Sequence, residues 1–220
     1  METSVAEIAR MRGLSPRRVL QLIAAGEISA RRVGGQWLID QSEILRSPRL
    51  ARPMSTRMAW GLIDLMSGQE SPHLGPTERS RLRSRLKTLV NHARNGDDVI
   101  PQLSSLLRER ARTVSLRARP ETVKEVRLDK RLILSGISDP RSRMSAGEEL
   151  EAYVRPDDLE SLMGDWFLLE GSWSTSNVRL HVAQISFSDA PLGLVIADLA
   201  DYARPREHGE AERLLASVAL

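Results

Sequence analysis

A chain of 220 residues, 41% hydrophobic, 4% aromatic and 28% charged, has room for a small module plus a larger body with an aliphatic core. It has no cysteine, which excludes disulfides, thiolate metal sites and a cysteine nucleophile, and no run approaches the ~20 apolar residues that span a bilayer. The net charge of +3 hides an asymmetry: residues 1–130 carry 24 lysines and arginines against 14 acids (+10), whereas residues 131–220 carry 8 against 15 (−7). A basic front attracts phosphate and an acidic rear does not. The first residues lack the apolar centre of a signal peptide, so a cytoplasmic location is expected.

In chain order, Thr3 or Ser4 is placed to cap a short helix carrying Val5, Ile8 and Ala9, which Gly13 closes. Ser15 as N-cap and Pro16 at the first position open a second helix with Val19, Leu22 and Ile23 on one side, and Gly26 is its stop. Ala30 to Val33 and Gln36 to Ile39 flank Gly34-Gly35, a two-residue glycine turn suited to a β-hairpin. A short closing helix from Asp40 or Ser42 through Leu45 and a Pro/Arg-containing linker follow.

Met58, Ala59, Leu62, Ile63 and Met66 have helical spacing from Ser55 onward. Thr77 with Glu78 opens a basic helix whose Leu82, Leu86, Leu89 and Val90 form one stripe, with Arg79, Arg81, Arg83, Arg85 and Lys87 around it. A further helix contains Leu103, Leu106 and Leu107. Beyond about residue 128, Arg131 to Ile137, Asp165 to Glu170 and Asn177 to Ile185 are short apolar or alternating runs that read as strands. Between and after them, helices start at Pro156 and Pro191. The fold class is therefore α+β, with an N-terminal helix-turn-helix and hairpin over 1–47, a linker over 48–54, a helical middle over 55–128 and a small α+β module over 129–220.

A helix-turn-helix lays the N-terminal turns of its second helix along base edges in the major groove, while the first helix and a wing touch backbone. With Val19, Leu22 and Ile23 inward, Arg17, Arg18 and Gln21 lie toward the opposite side, and arginine and glutamine are bidentate readers of guanine and adenine. Ser15 at the helix start favours a nearby phosphate. Arg31 and Arg32 on the first hairpin strand, with Gln36 beyond the turn, complete the candidate DNA contacts, and Trp37 with Ile39 pins the hairpin to the core.

The segment SVAEIARMRGLSPRRVLQLIAAGEISARRVGGQWLID resembles excisionase-type and MerR-like winged helix-turn-helix domains, from Thr3 to about Leu45. The rear is similar, in LSGISDPRSRMSAGEELEAYVRPDDLESLMGDWFLLEG and APLGLVIADLADYARPREHGEAERLL, to AbiEi-type antitoxins and related actinobacterial regulators. That likeness implies an autorepressing antitoxin encoded beside a nucleotidyltransferase-like toxin.

Catalysis is not expected. Gly171-Ser172 is the kind of pair that opens a nucleotidyltransferase site, yet no carboxylate follows until Asp189 to hold magnesium. Asp157 and Asp158 suit a helix start, Asp198 and Asp201 fall at i, i+3 without a phosphate loop, and His73, His92, His181 and His208 share no ligand spacing. The reading is a sequence-specific DNA-binding transcriptional regulator, a repressor, with no catalytic residues, metal or cofactor. Double-stranded DNA is its ligand, a homodimer its expected state and a cognate toxin a candidate partner, with no membrane association. The alternatives are an antitoxin whose acidic rear docks on a toxin, and an excisionase-like recombination factor.

Overall fold

Ser4 and Glu7 start the first helix by reciprocal hydrogen bonding. The Ser4 hydroxyl accepts from the Glu7 N–H at 3.3 Å, and the Glu7 carboxylate accepts from the Ser4 N–H at 3.0 Å, which satisfies two otherwise orphaned donors. The Ser4 backbone donor, aided by the hydroxyls of Thr3 and Ser4, holds the Glu7 carboxyl down at about 2. The structure, a computed structural model, describes residues 2–11, 15–24, 28, 30–40, 52–145, 147–173, 175–185 and 187–220. The expected helix ends at Gly13 and Gly26, the closing helix through Leu45 and linker residues 47–51 lie outside them.

The head comprises β1 (Glu2–Ser4), α1 (Val5–Met11), α2 (Pro16–Ala24), β2 (Ala30–Val33) and β3 (Gln36–Asp40), its strands antiparallel in the order β1-β3-β2. Thr3, one of the two expected caps, is instead a strand residue opposite Ile39, and Ser4 does the capping. Gly34 and Gly35 have φ of +56° and +85°, the left-handed pair that a two-residue hairpin turn demands. Ile8, Ala9, Val19, Leu22, Ile23, Ile28 and Ile39 form the head's core, with Val5, Ala30 and Trp37 packed on it.

The body begins with α3 (Thr56–Met66), α4 (Pro76–Arg94) and α5 (Ile100–Leu107). Glu78 ties the first two together, accepting the Gly75 N–H at 3.0 Å at the start of α4 and pairing with Arg57 of α3. Then come β4 (Arg112–Arg117), α6 (Pro120–Val126), β5 (Ile133–Leu134), β6 (Leu150–Val154), α7 (Pro156–Asp165), β7 (Leu169–Glu170), β8 (Val178–Val182), α8 (Leu192–Ala200) and α9 (Pro205–Ala216). The sheet runs β5-β6-β8-β4-β7, parallel only between β6 and β8.

Strand periodicity divides this sheet into two buried faces. Leu150, Ala152 and Val154 of β6, with Val178, Leu180 and Val182 of β8, pack with residues of α6 and α7. The intervening Tyr153 packs on the opposite side with α3, α4, α5, α8 and α9. Helices of the first half thus share one core with the last two, and α3 meets α8 so closely that a Cβ on Gly193 would lie 2.4 Å from the Ile63 carbonyl.

The mixed helix and strand content agrees with the α+β expectation, but several boundaries differ. Strand β4 interrupts the stretch expected to be helical. The strand expected over Asp165–Glu170 shrinks to Leu169–Glu170, because α7 runs through Asp165 and closes with Phe167 at φ +51°. There the Leu168 N–H reaches back to the Met163 carbonyl at 2.9 Å, a helix stop that usually employs glycine. The strand expected over Arg131–Ile137 is Ile133–Leu134 alone, since Gly136, at φ +51°, turns into a 3₁₀ segment. Only glycine fits there: a Cβ would sit 1.9 Å from a Glu151 oxygen.

Candidate nucleic-acid interface

On α2 the hydroxyl of Ser15 accepts the Arg18 N–H at 3.2 Å, fixing the helix start. Val19, Leu22 and Ile23 are buried, so at 100° per residue Arg17 and Gln21 fall almost opposite the core and Arg18 on one flank. All three are exposed, as is Ser15. Arg18 and Gln21 approach one another loosely, at 3.5 Å. Leu20, 42% exposed, shares this outer surface, where an apolar contact to a thymine methyl would be useful.

The hairpin separates the two arginines that the sequence sets side by side. Arg32 pairs across the ladder with Trp37, its guanidinium 6.0 Å from the indole ring centre, on the face that carries Ala30 and Ile39 to the core. Arg31 pairs with Leu38 and points to the other face, together with Val33 and Gln36. Arg31, Arg32, Val33 and Gln36 are all exposed, so both faces of the tip present polar or charged groups beside the two glycines.

A second concentration of charge lies inside the body, where sequence spacing did not reveal it. Arg110, 3% exposed, donates to Asp198 Oδ1 at 2.7 Å, to Asp201 Oδ2 at 2.6 Å and to the Tyr153 hydroxyl at 3.2 Å. Tyr153 in turn donates to Asp198 at 3.0 Å, and Ser135 donates to its other oxygen. Glu151 accepts from the Ile137 N–H and the Tyr202 hydroxyl and lies 3.0 Å from His181 Nε2, which is 3.5 Å from Asp198. Arg179 lies 3.7 Å from Glu151, with its guanidinium 3.5 Å from the Trp173 ring centre.

Burial opposes the charge on Arg110, but Asp201, Tyr153 and Asp198 outweigh it and hold the guanidinium protonated well above its ordinary range. Burial and then the Asp198 charge push the Tyr153 phenol up. Ligand-type atoms of Glu151, His181 and Asp198 lie within 4.8 Å of one another, a spacing compatible with a metal ion. Arg110 and Arg179 already supply positive charge there, however, and both carboxylates have protein donors. The arrangement is a largely buried ionic network that orients β6, β8 and α8, with Arg179 Nε left without a hydrogen-bond partner.

The usable signal for this network was the alternation in Leu-Glu-Ala-Tyr-Val and Val-Arg-Leu-His-Val. Such strands read as half-solvated, and only a second helical layer turns their polar face inward. The absence of ligand spacing among the histidines holds in sequence, but the fold overcomes it for His181.

Residues 4–47, a fifth of the chain, match the family model described as a helix-turn-helix domain. Comparison with curated proteins and with solved structures gave no match, and nothing in the comparisons supports the antitoxin likeness of the rear. The matched segment spans α1, the exposed Arg17–Gln21 surface of α2 and the glycine-tipped hairpin, and its similarity to a helix-turn-helix domain supports a DNA-binding head.

Proposed function

We propose that the protein is a sequence-specific DNA-binding transcriptional regulator, a repressor, and that α2 is its reading helix. The observation that carries this is the family match over 4–47, which falls on a helix whose Arg17 and Gln21 stand opposite its buried face. In this reading Arg17, Arg18 and Gln21 contact base edges, Ser15 and the start of α2 approach a phosphate, and the hairpin bearing Arg31, Arg32 and Gln36 acts as a wing on the neighbouring backbone. The body is a binding and oligomerising unit rather than an enzyme, its ionic network being sealed among partners. One head makes few base contacts, so two copies acting on paired half-sites provide usable specificity.

The test is fluorescence anisotropy on a duplex selected by the protein from a random pool, with a scrambled duplex as competitor. Arg17→Ala with Arg18→Ala is expected to weaken binding to the selected duplex by roughly 10- to 1,000-fold, at about 1–3 kcal/mol per lost bidentate contact, with the circular dichroism unchanged. Undiminished preference for the selected duplex in that variant would remove α2 from the reading role.

A further inference from the structure

The helix α4 carries the acid-free stretch of the chain richest in basic residues. From Arg79 to Gly96 there are six arginines and lysines and no Asp or Glu. Leu82, Leu86, Leu89 and Val90 are buried, which fixes the orientation of everything else on the helix. At 100° per residue, Ser80, Ser84, Thr88 and Asn91 form a strip along the outward face. Arg83 and Lys87 line one side of that strip, with half-buried Arg79 farther round toward the apolar stripe, and Arg81, Arg85 and His92 line the other. Shallow clefts border both rows: one of about 390 Å³ lined by Arg79 and Arg83, and one of about 490 Å³ lined by Arg85 and His92.

Several other arginines of the body are answered by carboxylates: Arg57 by Glu78, Arg110 by Asp198 and Asp201, Arg131 by Asp129 and Asp165, Arg141 by Asp139, and Arg213 by Glu210. Among the described residues, Arg79, Arg81, Arg83, Arg85 and Lys87 form no ion pair. Arg81 acts on Glu78, but Arg57 already occupies that carboxylate. Neighbouring acids are confined to the edges, with Glu70 in one cleft and Asp97 and Asp98 in the other, where Asp97 pairs with His92. Like charges at i, i+4, as in Arg79–Arg83–Lys87 and Arg81–Arg85, destabilise a free helix. A bound polyanion converts that repulsion into attraction.

We infer that the outward face of α4 is a second, sequence-independent DNA-contacting surface that grips the phosphodiester backbone between its two basic rows. The hydroxyl strip favours this occupant over an acidic protein: although Thr88 donates to the Ser84 carbonyl, the small donors of Ser80, Ser84 and Asn91 at the centre and guanidinium groups on both sides suit phosphate oxygens, each of which accepts several hydrogen bonds. That the surface acts on the same duplex as α2 rests on the proposed role of the head, to which it is covalently tethered. It adds affinity and salt dependence, and no base preference.

The experiment measures binding to the selected and scrambled duplexes over a salt series, for the wild type and for Arg81→Gln, Arg83→Gln, Arg85→Gln and Lys87→Gln combined. Glutamine keeps helix propensity close to that of arginine and lysine, and the apolar stripe is untouched. With about 0.9 in the log–log salt slope per phosphate contact, the slope should fall by roughly 2 to 4 and affinity near 0.1 M salt by about 10- to 100-fold, the selected-to-scrambled ratio being preserved. The melting temperature should hold or rise, because repulsion is removed. Replacing the three arginines by lysine should retain the slope. An unchanged slope in the folded glutamine variant overturns the inference and returns an acidic protein as the occupant. Failure of the pool to yield any preferred sequence would count against the head alone, since the slope on scrambled DNA still decides the role of α4. Absence of wild-type binding to either duplex at 50 mM salt would overturn both.

Discussion

Arg110 and the arginines of α4 belong to one body and have opposite fates. Arg110 is buried, with Asp198, Asp201 and Tyr153 around its guanidinium, whereas Arg81, Arg83 and Arg85 stand exposed in rows of their own sign. Their immediate sequence contexts are alike, Arg-Glu-Arg in one case and alternating Arg-Ser-Arg or Arg-Leu-Arg in the other. The fate of each is set by what the fold places opposite. The 3₁₀ turn that follows α5 delivers Arg110 against α8, while among the described residues no carboxylate pairs with Arg81, Arg83 or Arg85 on the outer face of α4. Buried arginine organises the fold, and the exposed arginines of α4 are those to which the DNA contact is assigned as a proposal.

The largest effect should come from breaking the buried side of that contrast. Arg110→Met leaves Asp198 facing the interior without its guanidinium, and removing one partner of a buried pair costs about 3–5 kcal/mol. Chemical denaturation should show that loss, and a variant within 1 kcal/mol of wild type would mean that Tyr153, Ser135 and His181 can carry Asp198 alone. An effect of about 2–5 kcal/mol is expected in the head from Ile39→Ala, because Ile39 is fully buried in the head's core, one of seven such residues among those described. Calorimetry should lose or lower one transition and leave the body's in place. A single, uniformly shifted transition would show the two cores melting together.

The head was legible because each device in it is local. A serine-proline helix start, three apolar residues at helical spacing and a glycine pair between two short runs all act within a few residues. The body was legible only in parts. Helices α3, α4 and α5 announce themselves by their stripes, but β6 reads Leu-Glu-Ala-Tyr-Val, a half-polar strand, until helices cover both faces of the sheet. The charge asymmetry of the sequence also changes meaning. Asp198 and Asp201 of the acidic rear are the counter-charges of Arg110 in the basic front, and Arg94 of α4 donates to the carbonyls of Ala216 and Val218. Part of the apparent polarity of the chain is neutralised internally.

Smaller effects refine the comparison on exposed ground. Phe167 combines 85% exposure with a left-handed φ of +51°, so Phe167→Gly should relieve roughly 1–2 kcal/mol of backbone strain and lose little burial. Higher resistance to denaturant is the expected reading, and destabilisation would mean that the ring packs against something in solution. Glu78 provides the smallest and most easily titrated effect. Its carboxyl is lowered from 4.5 to about 2, by the Arg57 side chain first and the Gly75 N–H second. A depressed carboxyl stabilises the fold above its unfolded value, and that contribution fades as pH falls from about 4.5 to about 2. Glu78→Gln should therefore flatten the acid limb of melting temperature against pH in that window. A limb as steep as the wild type's would assign the acid sensitivity to other carboxylates.

The packing of α9 into the core of α3, α4 and α5 has a consequence for biosynthesis. Among the described residues, the head's core is complete by residue 39, so that unit can close soon after it clears the ribosome. The body cannot: Leu82, Leu86 and Leu89 wait for Leu214 and Leu215, and the carbonyls that Arg94 holds belong to residues 216 and 218. At about 5–20 residues per second, the head spends on the order of ten seconds attached to an unfinished body whose basic segment is already synthesised. The proposed reading helix is thus complete well before the interior of the body can be assembled.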